Sequence, residues 1–279
     1  MIPATEGDIP AIEAFLRVHI ATSMFPLVNL RDHGMAGGHA RAVTCWVKWS
    51  SGQITDVLAL TDEGVVFPQC PTGPWGDVAV ILTGRMVKGV LGAADQVTAL
   101  RQTIGLTQKA DLDTKEPLFA LPLADLVMPD VSGFVLRPLS AVPRDFVERW
   151  RADYSIEALA VPGVDAAEQA AKDIVGYLEQ DSHRLLLKEG EPVAMTGFNA
   201  MLPETVQIGG VYTPPAHRSQ GFARRAVALH LAEARVKGVK EAILFAANAP
   251  AARAYEAIGF RRIGSFAIAL NADPQVIHG

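Results

Sequence analysis

The stretch Gly209-Gly-Val-Tyr-Thr-Pro-Pro-Ala-His-Arg-Ser-Gln-Gly-Phe-Ala-Arg224 runs from a strand-like end through a loop into the start of an amphipathic helix. Such a junction suits anions. The first N–H groups of a helix lack internal partners and lie at the positive end of its dipole, so main chain alone can hydrogen-bond a phosphate. Gly221 lets the backbone come close, small Ala223 lets the helix seat tightly on a sheet, and Arg218 and Arg224 add charge-assisted contacts. Pro214 and Pro215 supply no N–H, so the strand ending at Thr213 stops pairing and a gap opens beside it. An extended ligand arm bearing amides fits such a gap as an added strand would.

Downstream, Asn248 before Pro250 reads as a helix N-cap, Tyr255 as a core tyrosine with a bonded hydroxyl, and Gly259 as a helix-ending glycine. None of these readings excludes a role at a ligand. His217, beside the loop, reads as a solvated neighbour. His33 and His39 lie in a glycine-rich loop with no third ligand at metal spacing, so no metal site is expected. Gly89-Val-Leu-Gly-Ala-Ala94 repeats the loop's spacing without its arginine and reads as a plain turn before a helix or a vestigial copy.

Positioning these residues takes a strand at 206–213, a helix at 219–237 stopped by Gly238, a buried strand at 242–246, a helix at 250–258 and a strand pair around 262–270. Before them the pattern predicts a strand at 134–139, helices at 143–160 and 165–180, and strands at 184–188 and 192–201. The opening part reads as a helix at 8–20, a meander of strands at 42–49, 54–61 and 65–69, a strand at 78–82 and a helix at 93–104. The pattern breaks at 128–133, which divides the chain into residues 1–128 and 129–279. The order is that of an α/β fold (α+β, mixed sheet), with parallel pairing only across the helix at 219–237. Both halves contain helix, meander, strand and helix, so they read as diverged copies. Trp46 and Trp49 send their side chains to opposite faces of one strand, one to the core and one toward the second half. The first half is then a lid or wall.

A pyrophosphate at the loop and an amide-bearing arm along the strand together describe coenzyme A. Arg218-Ser-Gln-Gly-Phe-Ala223 resembles the Arg/Gln-x-x-Gly-x-Gly/Ala loop of the GNAT superfamily of acyl-CoA-dependent N-acyltransferases, in its usual setting after a Val-x-x-Pro strand end. Asn248 to Phe260 is similar to that family's Asn-x-x-Ala/Ser-x-x-x-Tyr-x-x-x-Gly-Phe segment. The resemblance covers 134–270 well and 1–128 in outline, as in superfamily members with two GNAT-like halves, the first degenerate. It implies a complete GNAT fold in the second half, acetyl-CoA as cofactor, and an N-acetyltransferase in which an amine attacks the thioester directly in a ternary complex. By the same resemblance the amides of Ser219, Gln220, Gly221, Phe222 and Ala223 hold the pyrophosphate, flanked by Arg218 and Arg224. Val211, Tyr212 and Thr213 pair with the pantetheine arm, and Asn248 and Tyr255 face the thioester. A main-chain N–H near Val211 meets the oxyanion, and Tyr255 protonates the thiolate. Where family members often carry a glutamate this chain has Gln207, which cannot accept a proton at neutral pH. Glu204, or a water-relayed Glu157 or His183, is left for that task. The competing expectation, motivated by Gln207, is a catalytically silent acyl-CoA-binding sensor or structural module.

Lysine and arginine number 25 against 30 acidic residues, a net charge of −5, which argues against a nucleic-acid grip built on general positive charge. The acidic balance admits a cationic amine, so a small-molecule or peptide amine is the expected partner, with a homodimer left open. Neither a Gly-x-Gly-x-x-Gly after a strand nor a Walker-type loop is present, which disfavours other nucleotide cofactors. Apolar residues at 49% and charged residues at 20% are globular rather than disordered proportions. The apolar runs are too short for a membrane span, and Glu6, Asp8 and Glu13 stand where an export signal would be basic and then apolar. Cys45 and Cys70 are too few for a disulfide framework, so the cytoplasm is the expected compartment.

Overall fold

The computed structural model describes residues 1–159 and 163–278; Ala160, at the end of the helix predicted over 143–160, lies outside them. The contacts divide the chain into two compact units: Met1–Glu116 with the segment from Gly264 onward, and Pro117–Ile263. This differs from one cut between 128 and 129. The chain passes from unit to unit twice, because two strands that the sequence pattern did not delimit straddle the crossings.

The first unit contains β1 (Ile2–Pro3), α1 (Ile9–Val18), α2 (Ile20–His33), β2 (Val43–Ser50), β3 (Gln53–Thr61), β4 (Val65–Gln69), α3 (Trp75–Leu82), β5 (Met86–Ala93) and α4 (Ala94–Thr103). Strand β6 (Leu112–Pro122) carries the chain into the second unit. There follow β7 (Phe134–Pro138), α5 (Arg144–Leu159), α6 (Gly163–Glu179), β8 (His183–Lys188), β9 (Glu191–Met201), β10 (Thr205–Tyr212), α7 (Phe222–Val236), β11 (Glu241–Phe245) and α8 (Ala249–Glu256). Strand β12 (Arg261–Val276) returns the chain to the first unit.

The strand order within the first unit is β1-β2-β3-β4-β5-β12, and within the second it is β7-β8-β9-β10-β11-β6. Position by position the pairings have the same sense, antiparallel throughout except for β4 with β5 and β10 with β11. Equivalent hairpins even share a turn. Ser51 and Gly52 join β2 to β3 with φ of 49° and 78°, and Glu189 and Gly190 join β8 to β9 with φ of 53° and 90°. Two consecutive positive φ values define the type I′ turn, whose twist matches that of the strands.

Three sequence expectations are corrected. Residues 78–82 are helical in α3: Val78 and Leu82, one turn apart, are both 0% exposed while Val80 is 78% exposed, a helical alternation hidden in a β-branched run. Parallel pairing is not confined to the neighbourhood of α7, since Val65 and Val66 of β4 pair in parallel with Gly89 and Val90 of β5. Gly89 to Ala93 therefore belongs to a strand, not a turn, and a Cβ on Gly89 would lie 2.3 Å from the Ala269 carbonyl oxygen of β12. The first unit's counterpart of the 214–221 loop is the segment after β4.

Trp46 lies in the first unit's core and Trp49 is 39% exposed. Both cysteines are free and buried, and burial pushes the Cys45 thiol up to about 12. Among the described residues no helix is long and apolar enough to cross a membrane. A core of the second unit joins Leu121, Leu123, Val227, Leu231 and Ile258, all fully buried. Each such side chain contributes roughly 1.5–3 kcal/mol. This core seats α7 and α8 against β10 and β11.

Candidate functional site

The parallel ladder between β10 and β11 runs from Thr205↔Glu241 through Val206↔Ala242 to Gln207↔Ile243 and stops there, although both strands continue. On its other side β10 follows β9 with two register shifts, between Gln207 and Ile208 and between Gly209 and Tyr212. The second shift places Gly210 and Val211 in a bulge, and a bulge re-aims main-chain groups out of the ladder. Beyond Gln207, then, β10 offers a ligand an edge and a kinked backbone.

The chain leaves this strand through Pro214 and a 3-10 turn at Pro215–His217, and reaches α7 by a loop with two left-handed residues, Ser219 (φ 62°) and Gly221 (φ 73°). Gly221 caps α7 without a side-chain hydrogen bond. Left-handed residues in sequence with right-handed ones form concave nests of N–H groups that bind anions, here on the positive end of the helix dipole. Glycine suits 221 for its φ of 73°, while a Cβ there would meet only the movable end of Arg225, with Nη1 at 2.9 Å. An open cleft of about 490 Å³ is lined by Ser219, Gln220 and Gly221 together with Arg224, Arg225 and Arg253. The buried Nε of Arg224 has no hydrogen-bond partner. Arg225 instead braces the loop, donating from Nε to the Asp130 carbonyl (2.7 Å) and from Nη1 to the Gln220 carbonyl (3.0 Å).

Arg218 does not point into this cleft's lining. Its Nε donates to the Thr213 carbonyl (2.9 Å) and its Nη2 pairs with Glu157 of α5 (2.5 Å), so it ties the loop to the strand end and to α5. Phe222 sends its ring into a core with Leu186 and Ala194, leaving its N–H for the loop, and Ala223 is half-buried beside it. Val211 packs on the core below α7 and α8, whereas Tyr212 turns the other way, against Trp150 of α5. Burial, with Asp153 and Glu157 nearby, pushes the Tyr212 phenol up to about 12. Thr213 Oγ1 is buried without a partner.

Asn248 caps α8, its Oδ1 accepting from the Ala251 N–H (2.9 Å), and remains exposed. Tyr255 is 7% exposed and lies in the same core as Ile208 and Leu244, on which Val211 packs, as the core reading expects. Glu204 is not brought to this region. It precedes β10 at the end where the ladder is closed, and its carbonyl accepts from the Lys240 and Glu241 N–H groups (2.8 and 3.1 Å). Gln207, 1% exposed, is the last paired residue, with Oε1 lacking a partner. His217 is half-buried. His33 and His39 stack at 3.8 Å; among the described residues no group of three His, Cys, Asp or Glu is placed to hold a metal.

Arg225 and Arg253, which sequence reasoning missed, carry no motif signal. Arg253 reaches the cleft because α8 returns beside α7. Asn199 was missed too: its side chain lies over Gly209, where a Cβ would stand 1.9 Å from its Nδ2. Only the β9–β10 register brings them together.

Residues 144–260 match the model of the acetyltransferase (GNAT) family, and this part of the chain is a GNAT-family domain. The whole chain has the tandem GNAT fold. A tandem GNAT protein from the clavulanic acid biosynthesis pathway, solved without AcCoA, is 15% identical with a TM-score of 0.57, covering 96% of this chain and 97% of its own. A GCN5-related N-acetyltransferase from Sphaerobacter thermophilus is 14% identical with a TM-score of 0.58, covering 100% of this chain and 95% of its own. Another from Kribbella flavida is 17% identical with a TM-score of 0.54, covering 91% and 95%. At these identities the likeness is one of fold. No curated protein matches the sequence.

Proposed function

We propose that the second unit binds acetyl-CoA and transfers its acetyl group to an amine, a small molecule or a peptide, by direct attack in a ternary complex. The observation that carries this reading is the ladder that stops at Gln207↔Ile243, opening the β10 edge toward a left-handed loop at the start of α7. The buried, unpartnered Arg224 Nε and Thr213 Oγ1 are polar atoms that such a ligand completes. Bound there, the cofactor supplies an activated acyl thioester.

In this reading the amides of the 219–223 loop and Arg224 hold the diphosphate, with Arg253 adding charge at the rim. Val211 to Thr213 offer main-chain groups to the pantetheine arm. The N–H groups of the Gly209–Tyr212 bulge stabilise negative charge developing on the carbonyl oxygen, an effect worth roughly 3–4 kcal/mol per donor at such sites. Tyr255 donates a proton to the departing sulfur. We assign the reaction to the cytoplasm, where Cys45 and Cys70 stay reduced.

The test is incubation of the chain with acetyl-CoA and a panel of amines while free thiol is followed. Thiol release dependent on an amine supports the transferase. Tight binding without release from any amine selects the silent sensor suggested by Gln207, and no binding at all removes both.

A further inference from the structure

Direct attack releases a proton from the amine, yet position 207 is an amide and Glu204 lies at the closed end of β10. Glu157 reaches the Tyr212 hydroxyl but is paired with Arg218, and a second group, His183, lies near the bulge. His183 opens β8, and its imidazole is sandwiched between the Tyr177 ring of α6, at 3.6 Å and 15°, and Gly197 of β9. Its Nδ1 lies 2.9 Å from Ser182 Oγ. With Nδ1–H donating to that hydroxyl, Nε2 carries the lone pair. Nε2 is buried without a partner, and a Cβ on Gly210 would lie 2.8 Å from it. In that tautomer a buried acceptor lies beside Gly210 of the bulge.

We propose that His183 is the general base of the acyl transfer, taking the amine's proton on Nε2; this rests on the transferase reading above. Gly197 and Gly210 exist in their present form to admit the ring. Asn199 is exposed and its side chain lies over the neighbouring Gly209. The amine nitrogen forms a bond to the thioester carbon while the carbonyl electrons move onto oxygen. The nitrogen's proton passes to Nε2. The C–S bond then breaks with its electrons on sulfur, which takes a proton from Tyr255; the imidazolium returns its proton through solvent and Tyr255 regains one there. Amine and thioester become amide and thiol with no change of oxidation state.

The charged and titratable groups facing the ring are Arg151 of α5, Tyr177 of α6, Arg184 of its own β8 and His230 of α7. Arg151 is met by Asp173, and Arg184 by Asp181 and Glu233. Burial first, then His230, Arg151 and Arg184, hold the imidazole well below its usual pKa, so the acceptor lone pair is present throughout the neutral range.

The test compares the whole chain with His183→Gln and His183→Ala, on the amine that the native chain acetylates. The expected result is a kcat lower by about 100-fold or more, with partial rescue of His183→Ala by added imidazole. CoA affinity should stay within about threefold, which separates a chemical loss from a binding loss. A kcat within about fivefold of native, unresponsive to imidazole, overturns His183 as base and leaves the transferase standing. A native chain that binds acetyl-CoA but acetylates nothing overturns both. Should the variants not fold, nitrogen NMR of the native chain decides at roughly pH 6 to 8: a bare Nε2 on His183 supports the proposal and a protonated one overturns it.

Discussion

The ring of His183 covers Gly197 so closely that a Cβ at 197 would stand 2.0 Å from its Cδ2 and Nε2. The ring cannot retreat, because Tyr177 stacks on its other face. Gly197→Ala is therefore expected to lose about 1–3 kcal/mol of stability, the usual cost of forcing bulk into a packed site. Adding His183→Ala should recover much of that loss in urea unfolding; an unaltered midpoint in Gly197→Ala alone would show that the ring has room to move.

Gly221 stands at φ 73° with Arg225 Nη1 within 2.9 Å of the place a Cβ would take. Gly221→Val puts a β-branched residue in the left-handed region, which strains the loop backbone, and obliges the movable end of Arg225 to shift. Calorimetric titration should find CoA affinity reduced by at least about tenfold, a change of about 1.4 kcal/mol, with the fold intact. Native-like affinity would place the diphosphate elsewhere.

Tyr255 shares a core with Ile208 and Leu244. Tyr255→Phe keeps that packing and removes the hydroxyl. Turnover should fall by about 100-fold, in the range of a lost general acid, with CoA affinity nearly unchanged. Equal turnover in the two proteins would confine Tyr255 to the core.

His230 of α7 is buried against Phe198, and burial with the nearby Arg184 lowers its pKa from 6.5 to about 3. Between these values the unfolded chain binds a proton that the folded chain refuses, so stability must fall as pH drops from 6.5 toward 3. Glu233, lowered to about 2 chiefly by its bond from Arg184, acts in the same direction: its contribution is present above its unfolded value of 4.5 and is lost as pH falls toward 2. His230→Gln should make the unfolding-midpoint profile less steep between pH 6.5 and 4.5, leaving the slope of the same sign that buried His183 contributes there and, lower down, that of Glu233. Parallel profiles for the two chains would contradict the assignment to His230.

The second unit begins at Pro117, and Leu118 to Pro122 pair with the whole of β11. A fragment of residues 129–279 lacks that strand, with its buried Leu118, Phe119 and Leu121, and retains a β12 whose later residues belong to the other unit. A fragment of residues 117–263 has all six strands. Circular dichroism melts should show a cooperative transition for 117–263 and none for 129–279; the reverse would mean that β6 is dispensable.

What was legible in the sequence was local. Proline after a β-branched run, glycine before an amphipathic helix and asparagine before Pro250 each act on neighbours within a few residues. The structure accordingly shows Asn248 capping α8, whereas α7 starts at Phe222 rather than at the expected 219, with Gly221 as its cap. The run at 78–82 misled because its residues favour strands in isolation, while the burial of Val78 and Leu82 against the core decided for helix. Strand β6 and the path of β12 were not legible, since pairing across more than a hundred residues leaves no short-range pattern.

By itself, then, the sequence determined that a strand end, a loop and a helix start would meet at 209–224, because backbone chemistry there is set by residue types in immediate succession. Tertiary structure alone decided the rest: that β10 and β11 part company after Gln207, that Arg253 reaches the cleft while Arg218 turns to Glu157, and that Glu204 falls at the wrong end of its strand. It also decided that a histidine opening β8 lies over a glycine of β10. Those relations depend on sheet register and helix docking, which are fixed by the burial of whole faces rather than by any one residue and its neighbours.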